Sequence, residues 1–193
     1  MKNVRTTATV LSVVALGLGT LAAGGAANAA PAPEVETLAR PVLKVPFPCQ
    51  QDWRGSTRAD HADSPNRAMD MNKAGTSGNG DAGLPVKASA AGTVVKASTG
   101  GGGLGNTVII NHSGGYSTLY AHLGRISVSR GATVSATTTI GTVGNSGLSS
   151  TTPTHLHYEQ HDAPNAGHAV SIRFGTSTNA LYYGERVYTR TSC

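Results

Sequence analysis

From residue 84 onward, apolar and polar positions follow the short rhythm of β-structure. "LPVKASAAGTVVKAS" predicts short strands around Gly92, and "NTVIINH" predicts another, rich in β-branched residues. "SGG" turns the chain, and "YSTLYAHLG" returns at hairpin distance. "ISVSRGATVSATTTIGTVGNSG" adds short strands punctuated by Gly131, Gly141 and Gly144, and "HLHYEQH" and "VSIRF" close the series. No segment of about a dozen residues holds a helical apolar period. The pattern predicts an all-β domain, a compact two-sheet arrangement of antiparallel strands. Upstream, residues 52–83 are polar and irregular. A loop of that length is uncommon inside a compact domain and is usually functional. It carries His61 and Asp70, and "AMDMN" within it reads as the start of a strand. Residues 30–46, rich in Pro and Ala, read as an extended lead-in. The folded domain is expected over residues 47–193.

Residues 1–29 predict a secretory signal peptide. Lys2 and Arg5 precede an apolar Ala- and Gly-rich run that ends in Ala27-Asn28-Ala29, an A-x-A cleavage pattern. No other stretch is long and apolar enough to span a bilayer, so no membrane association is expected after cleavage. The chain remaining after position 29 has 193 − 29 = 164 residues, enough for one domain with a proper core. Loss of the two cations takes the formal net charge from +5 to +3. That mild basicity suits an anionic surface such as a bacterial wall. No cluster of Lys and Arg with interleaved aromatics is present, which argues against nucleic acid. An even pair of cysteines in an exported chain reads as a disulfide, here Cys49 with Cys193. A nucleophilic cysteine is disfavoured, since neither has a histidine close in sequence.

The candidate chemistry centres on "THLHYE", residues 154–159. In a strand, side chains alternate faces, so His155 and His157 point the same way with Cα atoms roughly 7 Å apart. Two imidazoles on one face can reach a single centre. Equally, they can be the polar outer face of an edge strand whose Leu156 and Tyr158 face the core. His61, Asp70 and His122 supply further donors of the kind zinc takes, and a catalytic zinc site uses three protein ligands. Asp60 and Asp63 adjoin His61 and rival Asp70. No HExxH helix and no GxSxG elbow is present. The glycines of 100–103 lack the following helix and the GK[ST] of a phosphate loop. Spacing alone does not say which histidine of the pair would hold a metal.

The order His61, Asp70, "LYAHL", "HLHYE" resembles the LytM/lysostaphin-type zinc endopeptidases, peptidase family M23. The resemblance includes "GLPVKASAAGTVV", "GNTVIINHSGGYSTLYAHL" and "IGTVGNSG", and runs from about Cys49 to Glu159. It implies a duplicated-hybrid-motif β fold with a substrate groove, and a secreted, monomeric peptidoglycan hydrolase that cuts wall peptides, including Gly-containing ones. It implies one Zn2+ per chain, with His61, Asp70 and His157 as ligands. His122 and His155 would flank the metal, handling the proton of the attacking water and charge on the oxyanion. Many members place the first His and Asp four positions apart. The separation here is 70 − 61 = 9, nearer the β-lytic/staphylolysin branch.

Around this set, Glu159 is in phase with His157 and is expected either to accept an imidazole N–H or to act as a base. Tyr120 is in phase with His122 and reads either as an oxyanion donor or as a packed core residue. His112 is expected to be structural, and His161 and His168 solvated. Two other functions fit parts of the pattern. A non-catalytic wall-binding or amidase-regulating module on the same fold would ordinarily have lost metal ligands. A lipoyl-type carrier would need a lysine at a hairpin tip between hydrophobic neighbours, which is missing.

Overall fold

The computed structural model describes residues 39–57, 67–100, 102–177 and 184–193. The segment 1–29, read above as a signal peptide, and His61 with its acidic neighbours Asp60 and Asp63 lie outside the described residues. The described residues hold β-strands and two short 3-10 turns, with no α-helix. In chain order the strands are β1 (Asp52–Thr57), β2 (Ala68–Lys73), β3 (Pro85–Lys87), β4 (Gly92–Ser98), β5 (Thr107–Asn111), β6 (Ser117–Ala121), β7 (Arg125–Ile126), β8 (Thr133–Val134), β9 (Thr139–Thr142), β10 (Leu156–His161), β11 (Ala169–Val170) and β12 (Gly184–Thr189). The expected all-β, two-sheet antiparallel fold is what the chain adopts. No helix among the described residues is long and apolar enough to cross a membrane.

The larger sheet runs β12-β1-β2-β10-β6-β5-β4-β8, with β11 also on β10, and the smaller runs β3-β9-β7. Every pairing between strands is antiparallel. The hairpin β5–β6 turns through Ser113–Gly115, where Gly114 and Gly115 both take positive φ (72° and 76°). That conformation has no steric cost for glycine, so "SGG" is a turn for a stated physical reason.

The strand that matters most for function is β10. It lies between β2 and β6, so segments far apart in sequence become lateral neighbours. All six of its residues are buried, which the edge-strand reading of "HLHYE" did not anticipate. Alternation sorts its side chains. Leu156 and Tyr158 enter the main core with Met69, Met71, Ile110 and Tyr120. His157, Glu159 and His161 take the opposite face. Val86 and Ile140 from the smaller sheet join the same core, so one apolar cluster ties the two sheets together. Each fully buried aliphatic or aromatic side chain in it contributes roughly 1.5–3 kcal/mol relative to exposure.

Both ends of the domain are fastened. Leu43 and Val45, in the segment read as a lead-in, are buried. The buried Arg190 guanidinium donates to the carbonyls of Phe47 (3.3 Å) and Ala136 (2.7 Å). The expected Cys49–Cys193 disulfide is formed and closes a separation of 144 residues. A loop of that size removes about 5 kcal/mol of chain entropy from the unfolded state as an upper figure. The double variant Cys49→Ser/Cys193→Ser is expected to unfold at lower denaturant by 2–5 kcal/mol, about the usual range for such losses. Equilibrium urea unfolding of the two proteins checks this, and coincident midpoints would show that Arg190 and the core alone set the stability.

Candidate functional site

Three strands and one bridge converge on a polar cluster. β2 carries Asp70, and the β2–β10 register sets it directly opposite His157. On its other side, His157 faces Ala121 of β6, the residue before His122. His155 stands just ahead of β10, where its backbone N–H donates to the Gly144 carbonyl at 3.0 Å. Gly144 must be glycine there. A Cβ would come within 2.4 Å of the Gly124 nitrogen and 2.9 Å of the His122 carbonyl oxygen. Close approach of these two backbones is what brings His122 and His155 together.

His122 has φ +57°, an uncommon conformation for a residue with a Cβ. Two hydrogen bonds hold it: its N–H donates to Leu104 O at 3.0 Å, and its Nδ1 lies 3.0 Å from Ser146 O. The ring sits 5.0 Å from that of His155 and 5.5 Å from that of His157, centroid to centroid. A carbonyl only accepts, so Nδ1 carries the proton and Nε2 presents a lone pair when the ring is neutral. It is neutral at ordinary pH. Burial above all holds its pKa down to about 4. The Ser146 carbonyl opposes this, and the charges of His155 and His157 add to it.

Asp70 Oδ1 lies 3.4 Å from His157 Nδ1 and 3.7 Å from His155 Nε2. The far side of His157 is fixed as well, with Nε2 at 2.9 Å from Glu159 Oε1. Glu159 Oε2 is 2.9 Å from His161 Nε2. Burial works against charging His157, but the Asp70 and Glu159 carboxylates outweigh it and raise its pKa to about 9. For Glu159 burial works against ionisation, yet His157 and His161 hold it down near 2.

These donors fit a zinc ion in part. Two ligands at 2.0–2.2 Å on a tetrahedral centre stand about 3.4 Å apart, which is the Asp70–His157 separation. Carboxylate oxygen and imidazole nitrogen are both zinc donors. Among the described residues no group of three His, Cys, Asp or Glu forms a complete cage, and His61, expected as the third ligand, lies outside them.

The other expectations divide. Glu159 accepts from His157 as anticipated. Tyr120 is fully buried, with its hydroxyl bonded to Ser89 N (2.8 Å) and Thr118 Oγ1 (2.9 Å), so it is a core residue and no oxyanion donor. His112 is structural, held by Ala91 O and Thr118 Oγ1, each at 2.8 Å. His168 is exposed, beside Asp162 at 2.6 Å. His161 is not solvated: it is 3% exposed, because β10 is an interior strand and Glu159 receives the ring.

The sequence reading missed one polar network. Asp81, 1% exposed, accepts from Thr154 Oγ1, Asn72 Nδ2 (3.2 Å) and Lys73 N (3.2 Å). Asn72 also donates to Thr154 O at 2.8 Å. The network fastens the residue before His155 to the strand that carries Asp70. Only the phase of Asn72 with Asp70 hinted at it.

The shift at Glu159 has a pH consequence. A carboxylate whose folded pKa lies below its unfolded value stabilises the fold above the unfolded value, and that stability is lost as pH falls through the folded one. The metal-free protein is therefore expected to lose stability between pH 4.5 and about 2. Unfolding measured across that range should show a shallower decline in Glu159→Gln. An equal slope would mean that other carboxylates govern acid unfolding.

The family model for Peptidase family M23 matches residues 71–183. The match takes in His122, His155 and His157 and opens one residue after Asp70. The chain is 43% identical over 94 residues to the DD-carboxypeptidase/endopeptidase Mpg of Neisseria meningitidis, covering 49% of this chain and 21% of that protein. It is 36% identical over 118 residues to the peptidoglycan DD-endopeptidase ShyA of Vibrio cholerae, covering 58% of this chain and 26% of that one. The chain thus spans about a quarter or less of the length of these curated relatives. In three dimensions it is similar to the solved M23 metalloprotease pseudoalterin from the deep sea, with a TM-score of 0.56 and 22% identity over 75% of this chain and 86% of the other, a likeness of fold. With more than half of its residues matched by the family model, the chain belongs to peptidase family M23.

Proposed function

We propose that this chain is a secreted zinc endopeptidase that hydrolyses peptide bonds in bacterial peptidoglycan. The observation that carries the reading is the placement of Asp70 Oδ1 and His157 Nδ1 at a tetrahedral-edge distance, with two further imidazoles beside them. Family membership and the similarity to a peptidoglycan DD-endopeptidase support the substrate class. In this reading residues 1–29 direct export, residues 47–193 form the peptidase domain, and the protein works as a monomer outside the cell.

Asp70 and His157, with His61, would hold one zinc ion. Bound there, zinc acts as a Lewis acid that polarises the scissile carbonyl and makes water nucleophilic near neutral pH. The chain's own groups do the rest. Glu159 accepts a hydrogen bond from His157 Nε2–H, which fixes the ring and would leave Nδ1, once deprotonated, to hold the metal together with Asp70. His122 and His155 are each anchored through Nδ1, by Ser146 O and by Pro153 O at 3.1 Å. Both therefore keep Nε2 for chemistry. One takes a proton from the attacking water; the other, once protonated, donates to the oxyanion or the departing amine. Burial keeps His122 uncharged at working pH, which suits it to the accepting role.

His157→Ala is expected to lose both bound zinc and lysis of purified walls. His155→Ala and His122→Ala are expected to keep about one zinc per chain and lose 10²–10⁴-fold in rate, the usual order for an acid–base group. Metal content with wall turbidity checks all three. Zinc lost from His155→Ala would reverse the assignment of the pair. Zinc held by wild type without lysis of any wall would make the chain a binding module.

A further inference from the structure

Beyond the end of β10 remote from His157, a cavity of about 300 Å³ opens at the sheet margin. Arg40, Arg67 and Arg173 line it together with Tyr116, Asp162 and His168. The one acidic side chain among its described lining residues, Asp162, is already engaged by His168 Nδ1 at 2.6 Å. Three arginines thus line a shared space with no free carboxylate among its described lining residues.

The arginines are held there at a cost. Arg40 donates through Nη2 to Gln160 Oε1 and to the Arg173 carbonyl at 3.3 Å, and its guanidinium lies 6.0 Å from the Tyr116 ring. Burial, with the like charge of Arg173 in addition, pushes Arg40 below the ordinary arginine value. The Arg173 side-chain Nε is buried and has no hydrogen-bond acceptor among the described residues. A buried donor of a charged group without a partner is costly, and native structures rarely leave one so. Arg67 is exposed at the rim, where a ligand would meet it first.

We propose that this cavity is an anion-binding site for a phosphate group, separate from the His–Asp centre. Guanidinium forks match the geometry of phosphate oxygens and bind them in pairs. Three arginines exceed what a single carboxylate would neutralise, whereas a phosphate group presents more acceptor oxygens. The volume leaves room beside the bound group, and the Tyr116 ring offers a surface for whatever the phosphate is attached to. Free phosphate and the phosphodiester of an anionic polymer share this chemistry.

Calorimetric titration of inorganic phosphate into the zinc-loaded protein tests the site. One saturable site is expected in wild type, weakened at least tenfold in Arg173→Gln and in Arg67→Gln, and unchanged in wild type after zinc is removed by chelation. Arg67 is exposed, so its variant keeps the test valid if Arg173→Gln fails to fold. Absence of saturable binding in wild type would overturn the proposal. So would loss confined to the zinc-stripped protein, which would place the anion at the metal centre. Equal weakening of wild type and both arginine variants by added KCl, with no difference between them, would mean diffuse surface charge and would also overturn it. A second arm uses poly(glycerol phosphate). Tighter binding per phosphate than the free ion, lost in the same variants, identifies a polymer as the source. Equal or weaker binding identifies free phosphate.

Discussion

The site depends on backbone hydrogen bonding that places β10 between β2 and β6. The register sets His157 against Asp70 on one side and Ala121 on the other, and with it every distance in the polar cluster. A slip of one residue would turn His157 and Glu159 into the core and bring Leu156 and Tyr158 to the polar face. The apolar alternation of β10 prevents that slip, because Leu156 and Tyr158 are fully buried against the methionines of β2 and Tyr120 of β6. The hydrophobic core therefore fixes the geometry of a polar site on the other face of the same strand.

A second constraint is local. His122 lies beyond the end of β6 in a left-handed conformation that costs of order 1–3 kcal/mol for a residue with a side chain. The surroundings over-determine it through the Leu104 and Ser146 carbonyls and the glycine contact between Gly124 and Gly144. The same glycine contact supports His155, whose backbone pairs with Gly144. The two histidines are held by one close approach of backbone to backbone, so their spacing is not left to side-chain rotamers.

Behind the cluster, charge is balanced in layers. Asp70 faces His157, Glu159 backs it, and His161 backs Glu159. A row of alternating acid and imidazole groups on one buried face lets each charged form meet an opposite partner, which a lone buried ion would lack. On the other side, Asp81 and Asn72 join the β2 strand to Thr154, so the approach to His155 is tied to the strand that carries Asp70.

The all-β class, the hairpin at "SGG", the strand at "AMDMN" and the disulfide were legible along the chain. They rest on local rules: period-two alternation, glycine's tolerance of positive φ, and the pairing of two cysteines in a chain expected to be exported. Phase alone put His155, His157 and Glu159 on one face. Tertiary structure decided which strands flank that face, and so that "HLHYE" is an interior strand and that His161 is buried against Glu159. It also placed Tyr120 in the core rather than beside the chemistry, and drew Asp81, Asn72 and Thr154 into one network. Those outcomes follow from sheet order and from contacts such as Ser89–Tyr120, Ala121–His157 and Asn72–Thr154, which are 31, 157 − 121 = 36 and 82 positions apart. No periodicity within a single segment encodes such contacts, because they exist only once the strands have paired.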